Sequence, residues 1–579
     1  MRKNAAVARI LEDYADILEA QDDQYRPRSY RRAAQNIRDY PEAVEDLVAE
    51  GPAAVQEIEG VGESIADKVI EFVETGEIET IEEAKEEFPV EMRELTRVEG
   101  VGPKTVGALY EALGITTLDE LETAAREQKI REIKGFGPKT EENILEHIEF
   151  AKESRKRELL GEARPIADDL IEYLGAAEAV DQSAPAGSLR RWRETVGDID
   201  VLAAGGDHEA VVDRFTGWEG VTDIIEAGTT KASIRADGMR VDLRVVDPEE
   251  WGSALQYFTG SKDHNVRLRT YAIKRDLKIN EYGLFDVSEV DDPDSGQRVG
   301  ERIAGETEEE IYEALDLPWI PPELREDNGE IDAAAAGDLP TLLEVDEIRG
   351  DLHVHTDWSD GDNTIEEMIH GAAEFGHDYL CISDHASGPG VVGGTGLEEA
   401  DLREQLQTIE SLRGESPITV FSGVETNISV DGEISIEDDV LDDLDIVVAS
   451  PHSGLEGDGT DRLIAAIEHP HVDIIGHPSG RLINRRPGLE YDIEAVASAA
   501  TDHGVALEVN ANPHRLDLWG EAVRTAIEAG AVISINTDAH GPPEFHHLRF
   551  GVHTARRGWA EADDVINTWS PDDLQSFIE

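Results

Sequence analysis

The sequence contains little cysteine, little lysine and no long apolar run. One cysteine, Cys381, occurs in 579 residues, so the fold cannot depend on disulfide bonds and suits a reducing compartment. The lack of a long apolar run argues against a membrane-spanning helix. Residues 1–20 mix charged with apolar side chains, which is not the pattern of a signal peptide. We therefore expect a soluble, cytoplasmic protein without a membrane partner.

Basic residues are scarce as well. The chain carries 52 lysines and arginines against 127 aspartates and glutamates, a formal net charge of -75, and no lysine follows Lys278. Such acidity ordinarily disfavours a nucleic-acid partner, because phosphate binding requires local positive charge. The acid is spread through every segment, however, which is typical of proteins from salt-accumulating halophiles. In molar salt the Debye length is only about 3 Å, so local contacts rather than net charge decide DNA binding.

The length of the chain predicts several domains, because 579 residues exceed one ordinary hydrophobic core. Helical patterns with glycine turns fill the first part, and short apolar strands with intervening helices follow. An acidic, alanine-rich stretch at residues 326–345 has little apolar content and predicts a linker. Beyond it, helical stretches alternate with short apolar runs.

Three glycine turns recur in the helical N-terminal region, and each precedes a helical pattern. The glycines allow a tight turn, and the N-terminus of the next helix points free N–H groups outward, which suits a phosphate. The three turns resemble helix-hairpin-helix motifs, which bind the DNA backbone. They are Gly60-Val61-Gly62, Gly100-Val101-Gly102 and Gly135-Phe136-Gly137. This resemblance implies DNA contacts at Gly60, Gly62, Gly100, Gly102 and Lys104.

Two aspartates share one face of a predicted strand. Asp198 and Asp200 alternate with Ile199 and Val201, and side chains at i and i+2 on a strand point to the same side. Asp242 also alternates with apolar neighbours and could join the pair from an adjacent strand. Three carboxylates can hold the two Mg²⁺ or Mn²⁺ ions that in-line phosphoryl transfer uses.

Four motifs in order resemble the palm and thumb of family X DNA polymerases, the polymerase beta type. They are Gly187-Ser188-Leu189-Arg190-Arg191, Gly197-Asp198-Ile199-Asp200, Tyr257-Phe258-Thr259-Gly260-Ser261 and Asn280-Glu281-Tyr282. The resemblance implies that Asp198, Asp200 and Asp242 bind the ions and that Asp242 accepts the proton of the primer 3′-hydroxyl. It implies dNTP contacts at Gly187, Ser188, Arg191, Gly197, Tyr257, Phe258 and Gly260, with Asn265 and Arg269 at the nascent base pair.

The N-terminal segment resembles the lyase subdomain of the same family. Lys68 falls where that family has its Schiff-base lysine, and Tyr30 falls nearby. The 5′-phosphate pocket of the family uses further lysines, whereas this sequence has Ser64, Glu77 and Glu79 there. Lys68 is therefore open to two interpretations, a catalytic nucleophile or an ordinary helix lysine, because a nucleophilic lysine needs a lowered pKa.

Nine potential metal ligands end the apolar runs of the C-terminal part. Functional groups at the ends of repeated βα units are typical of the active face of a TIM-like barrel. A mixture of imidazole and carboxylate suits Zn²⁺ or Mn²⁺ in a multinuclear site. The nine residues are His353, His355, Asp360, His385, Glu425, His452, His477, Asp538 and His540.

The order of these segments and the residues in them resemble the motifs of the polymerase and histidinol phosphatase (PHP) domain. The resemblance implies up to three Mn²⁺ or Zn²⁺ ions, with Glu425 and Asp538 as bridging ligands. Clustered ions can generate a hydroxide near neutral pH and cleave a phosphodiester. Arg481, which follows the segment Gly476-His477-Pro478-Ser479-Gly480, is either a phosphate clamp or a surface arginine.

The motifs together predict a multidomain protein with an N-terminal helical region. The predicted boundaries are 1–85 for a lyase-like subdomain, 86–150 for a second helix-hairpin-helix subdomain, 151–250 for an α/β nucleotidyltransferase palm, 251–325 for a thumb, 326–345 for the linker and 346–579 for a TIM-like PHP barrel.

The two resemblances imply a DNA-directed DNA polymerase that fills short gaps in base excision repair. The PHP domain would add a 3′–5′ exonuclease or an abasic-site endonuclease. Gapped or nicked DNA and dNTPs are the expected partners, and we expect a monomer. Two alternatives come from other classes: a DNA-end-binding scaffold with a weak polymerase, which the intact aspartates argue against, and a PHP domain that acts as a small-molecule phosphatase.

Overall fold

A computed structural model describes the whole chain except residues 1, 2, 24, 41, 42, 59, 99, 155, 156, 389–395 and 579. Its N-terminal region is helical. The helices are α1 Asn4–Ala20, α2 Arg26–Asp39, α3 Val44–Glu50, α4 Pro52–Val55, α5 Glu63–Thr75, α6 Glu79–Glu87, α7 Met92–Leu95, α8 Pro103–Leu113, α9 Leu118–Arg126 and α10 Pro138–Ser154.

Two apolar cores support these helices, and α1 contributes to both. Leu11 of α1 lies in the first core, whereas Ile17 lies in the second. The glycine turns adopt the predicted geometry, since Gly60, Gly100 and Gly135 have φ angles of 73°, 79° and 98°. Such left-handed backbone is readily adopted by glycine. The predicted helix-hairpin-helix architecture is confirmed.

The palm is a five-stranded sheet with the order β2-β4-β7-β6-β5, in which β4 and β7 run parallel and the other neighbours antiparallel. Helices α11 and α13 contribute to its core. Its elements are β1 Glu158–Leu159, α11 Leu160–Gly175, β2 Gln182–Pro185, α12 Gly187–Arg190, β3 Thr195–Val196, β4 Ile199–Ala204, α13 His208–Thr216, β5 Val221–Ala227, β6 Lys231–Ala236 and β7 Met239–Val246.

The thumb combines helices with a three-stranded antiparallel sheet of order β10-β9-β8. A buried ion pair joins it to the palm, because Glu308 accepts hydrogen bonds from both Arg190 and Arg325 at 2.5–3.1 Å. Its elements are α14 Trp251–Thr259, α15 Lys262–Ile273, β8 Leu277–Asn280, β9 Gly283–Asp286, β10 Glu301–Ala304, α16 Glu308–Ala314 and α17 Glu330–Ala336.

The segment 326–345, which we interpret from its sequence as a linker, is packed rather than extended. It contains α17, and Ile331, Ala334 and Leu342 enter the hydrophobic core of the thumb. Glu330 is fully buried beside His264, with Oε1 and Nδ1 2.5 Å apart. Composition alone misses this role, because a short alanine-rich helix needs few large apolar residues to fill a neighbouring core.

The C-terminal domain is a near-closed barrel, which confirms the predicted TIM-like fold. Seven parallel strands follow one another in chain order, and a parallel bridge between Val354 and Ala539 joins the last to the first. The elements are β11 Gly350–Val354, α18 Ile365–Phe375, β12 Tyr379–Ile382, α19 Glu399–Arg413, β13 Thr419–Asn427, α20 Asp438–Leu441, β14 Ile446–Ser450, α21 Thr460–Ile467, β15 Ile474–Ile475, α22 Ile493–His503, β16 Ala506–Asn510, α23 Gly520–Glu528, β17 Ile533–Asn536, α24 Leu548–Arg557 and α25 Pro571–Ile578.

The barrel strands are nearly continuous buried runs, as expected for parallel strands that helices cover. Cys381 is one of these buried residues on β12. None of the helices that the structure describes is both long and apolar enough to cross a bilayer.

The barrel and the palm are packed directly against each other. Leu516 and Phe550 of the barrel belong to the same apolar cluster as Ile199 and Val241 of the palm. The two domains are therefore held in one packed body rather than joined by a loose tether.

Gly107 tests the packing of α1 on α8. A Cβ at this position would lie 2.2 Å from the carbonyl oxygen of Ala20, so Gly107→Ala must separate the two helices. Overpacking of this kind costs about 1–3 kcal/mol. We expect faster amide hydrogen exchange in α1 and α8. Gly206→Ala is the matched control, because no atom lies within 4 Å of its added Cβ; equal exchange in both variants would contradict the contact.

Candidate active sites

The palm brings its three predicted metal ligands together. Asp200 on β4 and Asp242 on β7 are direct partners in the parallel pair, and Asp198 lies in the turn just before β4. Parallel strands keep register partners close, so the carboxylates of Asp200 and Asp242 lie side by side on two internal strands, and Asp198 is close enough for its charge to affect Asp200.

Electrostatic repulsion marks this carboxylate cluster. Burial, together with the charges of Asp198 and Asp242, raises the pKa of Asp200 to about 7. The pKa of Asp198 is raised as well, chiefly by burial and then by Asp242. Asp242 accepts hydrogen bonds from Ser233 Oγ at 2.5 Å and from Arg240 Nε at 2.9 Å. Divalent cations would relieve the repulsion, so the donor set fits two hard ions such as Mg²⁺.

Residues 187–193, which we call the triphosphate loop because they include the predicted dNTP contacts Gly187, Ser188 and Arg191, begin beside these carboxylates. Gly187 has a φ of 58°, and a Cβ there would lie 2.1 Å from Oδ2 of Asp200, so the position requires glycine. Ser188 follows it on α12, and Gly197 is exposed just before Asp198. Arg191 donates from Nε to Glu326 at 2.9 Å and from a terminal nitrogen to the Thr259 carbonyl at 2.7 Å.

Tyr257 and Phe258, two of the predicted dNTP contacts, lie in the last turn of α14, next to the short connection to α15. The rings of Tyr257 and Phe258 meet edge to face at 5.2 Å. Asn265 donates from Nδ2 to the carbonyls of Tyr257 at 2.7 Å and Gly260 at 3.2 Å, which fixes the turn. Arg269, further along α15, is exposed to solvent.

The predicted DNA contacts of the N-terminal region lie at the starts of two helices, α5 and α8. Gly62 and Gly102 are the residues immediately before α5 and α8, and Lys104 is exposed in the first turn of α8. Lys68 is half-buried on α5, one turn after Ser64, whose side chain is hydrogen-bonded with buried Tyr30. Glu77 and Glu79 are exposed, and as glutamates they offer no positive charge to a 5′-phosphate at those two positions.

All nine predicted barrel ligands lie in one cluster at the C-terminal ends of the strands. Glu425 is its centre, because five histidine rings point at its two carboxylate oxygens. The nitrogen-to-oxygen distances are 3.4 Å for His353, 3.7 Å for His355, 2.6 Å for His385, 3.2 Å for His452 and 3.0 Å for His477.

The remaining ligands complete a second side of the cluster. Asp360 lies 3.5 Å from His385 and 3.4 Å from His540, and Asp538 lies 3.1 Å from His355. Burial raises the pKa of Asp360, but hydrogen bonds from His385 and His540 hold it well below its ordinary value. Burial lowers the pKa of His385, whereas Glu425 and Asp360 raise it to about 10.

This donor set fits a group of metal ions. Three sets of ligands have their donor atoms within 4.8 Å of one another: His355, Asp360, His385 and His540; His353, His355 and Glu425; His385, Glu425 and His452. Both oxygens of Glu425 are buried, and among the residues that the structure describes they accept no well-formed hydrogen bond. Buried carboxylates are normally paired or bound to metal, so ions explain this arrangement.

Sequence reasoning missed the residues that support these ligands. Glu508, in the middle of β16, accepts a hydrogen bond from Nδ1 of His353 at 2.8 Å, and Oδ1 of Asn427 lies 2.8 Å from Nδ1 of His452. Such partners orient a ligating imidazole and fix its tautomer. A signal was present, because the run Ala506-Leu507-Glu508-Val509-Asn510 ends in polar residues like the other barrel runs.

Arg481 does not face the ligand cluster. Its guanidinium donates to Glu194 of the palm at 2.9 Å and to the Arg515 carbonyl at 2.8 Å. Arg515 is the arginine that reaches the cluster, with Nε 3.5 Å from Oδ2 of Asp538. Arg481 therefore joins two domains, a role that neither sequence interpretation included.

The two centres define a metal-dependent phosphoryl-transfer enzyme with DNA-binding helices. Four segments match known families: a helix-hairpin-helix domain at residues 2–78, a SAM-like helix-hairpin-helix tandem at 92–149, the DNA polymerase beta thumb at 254–326 and the PHP domain at 351–512.

Known proteins resemble the whole chain and parts of it. The chain is 35% identical to the DNA polymerase/3′-5′ exonuclease PolX of Bacillus subtilis (strain 168), over 99% of each chain. A probable phosphatase of Thermoanaerobacter sp. (strain X514) is 30% identical over 38% of this chain and 89% of its own. Another probable phosphatase, from Caldicellulosiruptor bescii, is 34% identical over 31% of this chain and 73% of its own length. The chain therefore belongs to the family X DNA polymerases that carry a PHP domain.

The pKa of Asp200 predicts how pH affects metal binding in the palm. Because this pKa is raised from 3.8 to about 7, the metal-free carboxyl holds a proton below that pH and competes with the cation. The Mg²⁺ concentration that gives half-maximal nucleotide insertion should therefore fall as pH rises from about 6 to about 8. A requirement that stays constant over this range would contradict the electrostatic account.

Proposed function

We propose that this chain is a DNA-directed DNA polymerase that fills short gaps in base excision repair and removes nucleotides from 3′ ends with its PHP domain. Its main support is the placement of Asp200 and Asp242 side by side on β4 and β7, with Asp198 just before β4 and Gly187 next to Asp200. Family membership gives independent support, because the full-length relative is named for both activities.

In the palm, Asp198, Asp200 and Asp242 would hold two Mg²⁺ or Mn²⁺ ions. When bound, such ions lower the pKa of a primer hydroxyl and neutralise a pyrophosphate leaving group. The protein groups do the positioning. Asp242 accepts the proton of the 3′-hydroxyl, while Ser188 and Arg191 bind the triphosphate of the dNTP. Tyr257 and Phe258 contact its sugar.

In the barrel, the nine ligands would hold up to three Mn²⁺ or Zn²⁺ ions. Such ions supply a hydroxide near neutral pH and stabilise charge on a phosphodiester. Glu508 and Asn427 keep His353 and His452 oriented toward the cluster. Arg515, beside Asp538, binds a phosphate of the DNA strand. Abasic-site cleavage would use the same groups.

A small-molecule phosphatase is a second candidate for the barrel. It is favoured by the shorter relatives, which are named probable phosphatases and which align with 38% and 31% of this chain. Release of inorganic phosphate from histidinol phosphate, without shortening of a labelled DNA 3′ end, would favour the phosphatase over the exonuclease.

The helix-hairpin-helix turns supply the DNA contacts of the proposal. Backbone N–H groups at the starts of α5 and α8 bind phosphates of gapped or nicked DNA, with Lys68 and Lys104 on the same helices. We further propose that the enzyme acts as a monomer in a salt-rich cytoplasm, where its acidic surface is screened.

Single ligand substitutions should separate the two activities. Asp200→Ala should abolish nucleotide addition and leave 3′–5′ degradation intact, whereas His355→Ala should do the reverse and lower the bound metal content of the barrel. Primer extension on a one-nucleotide gap, 3′-end degradation and elemental analysis measure these effects in molar KCl. Loss of both activities in either variant would indicate one shared centre and refute the division of labour.

The acidic surface predicts how salt affects DNA binding. Each phosphate contact adds about -0.9 to the slope of log affinity against log salt, so a protein adapted to molar salt cannot rely on many of them. With Glu77 and Glu79 in place of lysines, removal of the 5′-phosphate at a gap should change affinity little. Binding isotherms with and without that phosphate across a KCl series test this. A large gain from the phosphate at molar salt would reveal another basic pocket.

A further inference from the structure

Helix α24 of the barrel lies against the triphosphate loop of the palm. The indole of Trp192, one residue after Arg191, stacks on the imidazole of His553 with ring centroids 3.6 Å apart and planes 7° apart. The ring of Phe550 meets the same indole at 6.0 Å. Trp192 has a φ of 53°, a left-handed conformation that a bulky residue adopts only where its surroundings hold it there.

A second contact reaches the backbone of the loop. Arg557, the last residue of α24, donates from a terminal nitrogen to the carbonyl oxygen of Arg191 at 2.8 Å and to Glu326 at 3.3 Å. Glu326 also accepts from Nε of Arg191 at 2.9 Å, and Arg193 lies 3.7 Å away. The carboxylate of Glu326, at the end of the thumb, thus faces the guanidinium groups of Arg191, Arg193 and Arg557.

The contact is well shielded from solvent. The side chains of Arg191, Arg557 and Glu326 are 12%, 10% and 13% exposed. Hydrogen bonds between charged groups are strongest in such a setting, and removal of one partner leaves the others unsatisfied. Arg557 therefore constrains both the main chain and the side chain of Arg191.

We propose that α24 of the PHP domain is a structural part of the polymerase site and that Arg557 is a positioning residue for Arg191. The inference rests on the proposed function, in which Arg191 binds the dNTP triphosphate. It assigns the barrel a second role that is independent of its metal ligands. The PHP domain supports nucleotide binding in the palm through Arg557 and His553, and Glu326 at the end of the thumb links Arg557 to the side chain of Arg191.

Arg557→Ala should weaken dNTP binding without blocking the chemical step. The carboxylate cluster is untouched, so kcat for insertion should change less than about twofold, while loss of a charged hydrogen bond should raise KM for the dNTP about tenfold. Arg557→Lys keeps the positive charge but loses the planar guanidinium that donates to two acceptors. Its KM should lie between those of the wild type and Arg557→Ala.

The experiment is single-nucleotide insertion by the full chain on a one-nucleotide gap, with kcat and KM measured separately. Arg403→Ala is the matched control, because Arg403 is an exposed barrel arginine that pairs with Glu399 and Asp439. Degradation of a 3′ end and a thermal melt report whether each variant is folded. His553→Ala, which removes the stacking partner of Trp192, should also raise KM and replaces Arg557→Ala if that variant does not fold.

A KM for Arg557→Ala and His553→Ala equal to that of Arg403→Ala would overturn the proposal. A fall in kcat with unchanged KM would also overturn it, because it would place the effect on the chemistry rather than on nucleotide binding. Failure of the proposed function would look different, since the wild-type chain itself would then insert no nucleotide.

Discussion

The cost of burying carboxylate charge is the constraint on which both active-site clusters of this protein depend. Removing a charge from water costs several kcal/mol unless a counter-charge compensates it. In the palm, Asp198, Asp200 and Asp242 lie close together, and burial, followed by the charges of neighbouring aspartates, raises the pKa values of Asp198 and Asp200. In the barrel, Glu425 is fully buried within a shell of imidazoles. Divalent cations would compensate the carboxylate charge in both clusters. The same need for a counter-charge therefore underlies both metal-binding centres.

The surrounding fold serves these two clusters in different ways. The palm uses a parallel strand pair to align Asp200 with Asp242, and a glycine to let the loop approach. The barrel instead places its ligands on or just beyond six of its seven strands, β11 to β15 and β17, and orients them with buried amides and carboxylates. The barrel also packs into the palm core, so the two centres belong to one packed body.

Local patterns in the sequence predicted much of this organisation. The alternation of Asp198 and Asp200 with apolar neighbours predicted a shared strand face, and nine polar residues at the ends of apolar runs predicted the barrel face. These features depend on periods of two residues and on βα repeats, which a sequence displays directly. The family resemblance covered the remaining motif residues.

Long-range contacts could not be predicted in this way. Glu326, Arg557 and Arg191 come from three distant segments, and no local period connects them. The helix at residues 330–336 was not predicted, because its alanine-rich sequence has few large apolar residues. Arg481 donates to Glu194, which is 287 residues away in the sequence. Glu508 was missed although its run resembles the others. Tertiary packing, rather than composition, decides the role of each of these residues.

The central claim is that one chain holds two separate clusters of divalent cations. Anomalous diffraction from crystals of the full chain grown with Mn²⁺ tests it most directly. The account predicts strong peaks between Asp198, Asp200 and Asp242 and a separate group of peaks around Glu425. Manganese at neither cluster, with the carboxylates of both instead satisfied by side-chain contacts or ordered water, would contradict it.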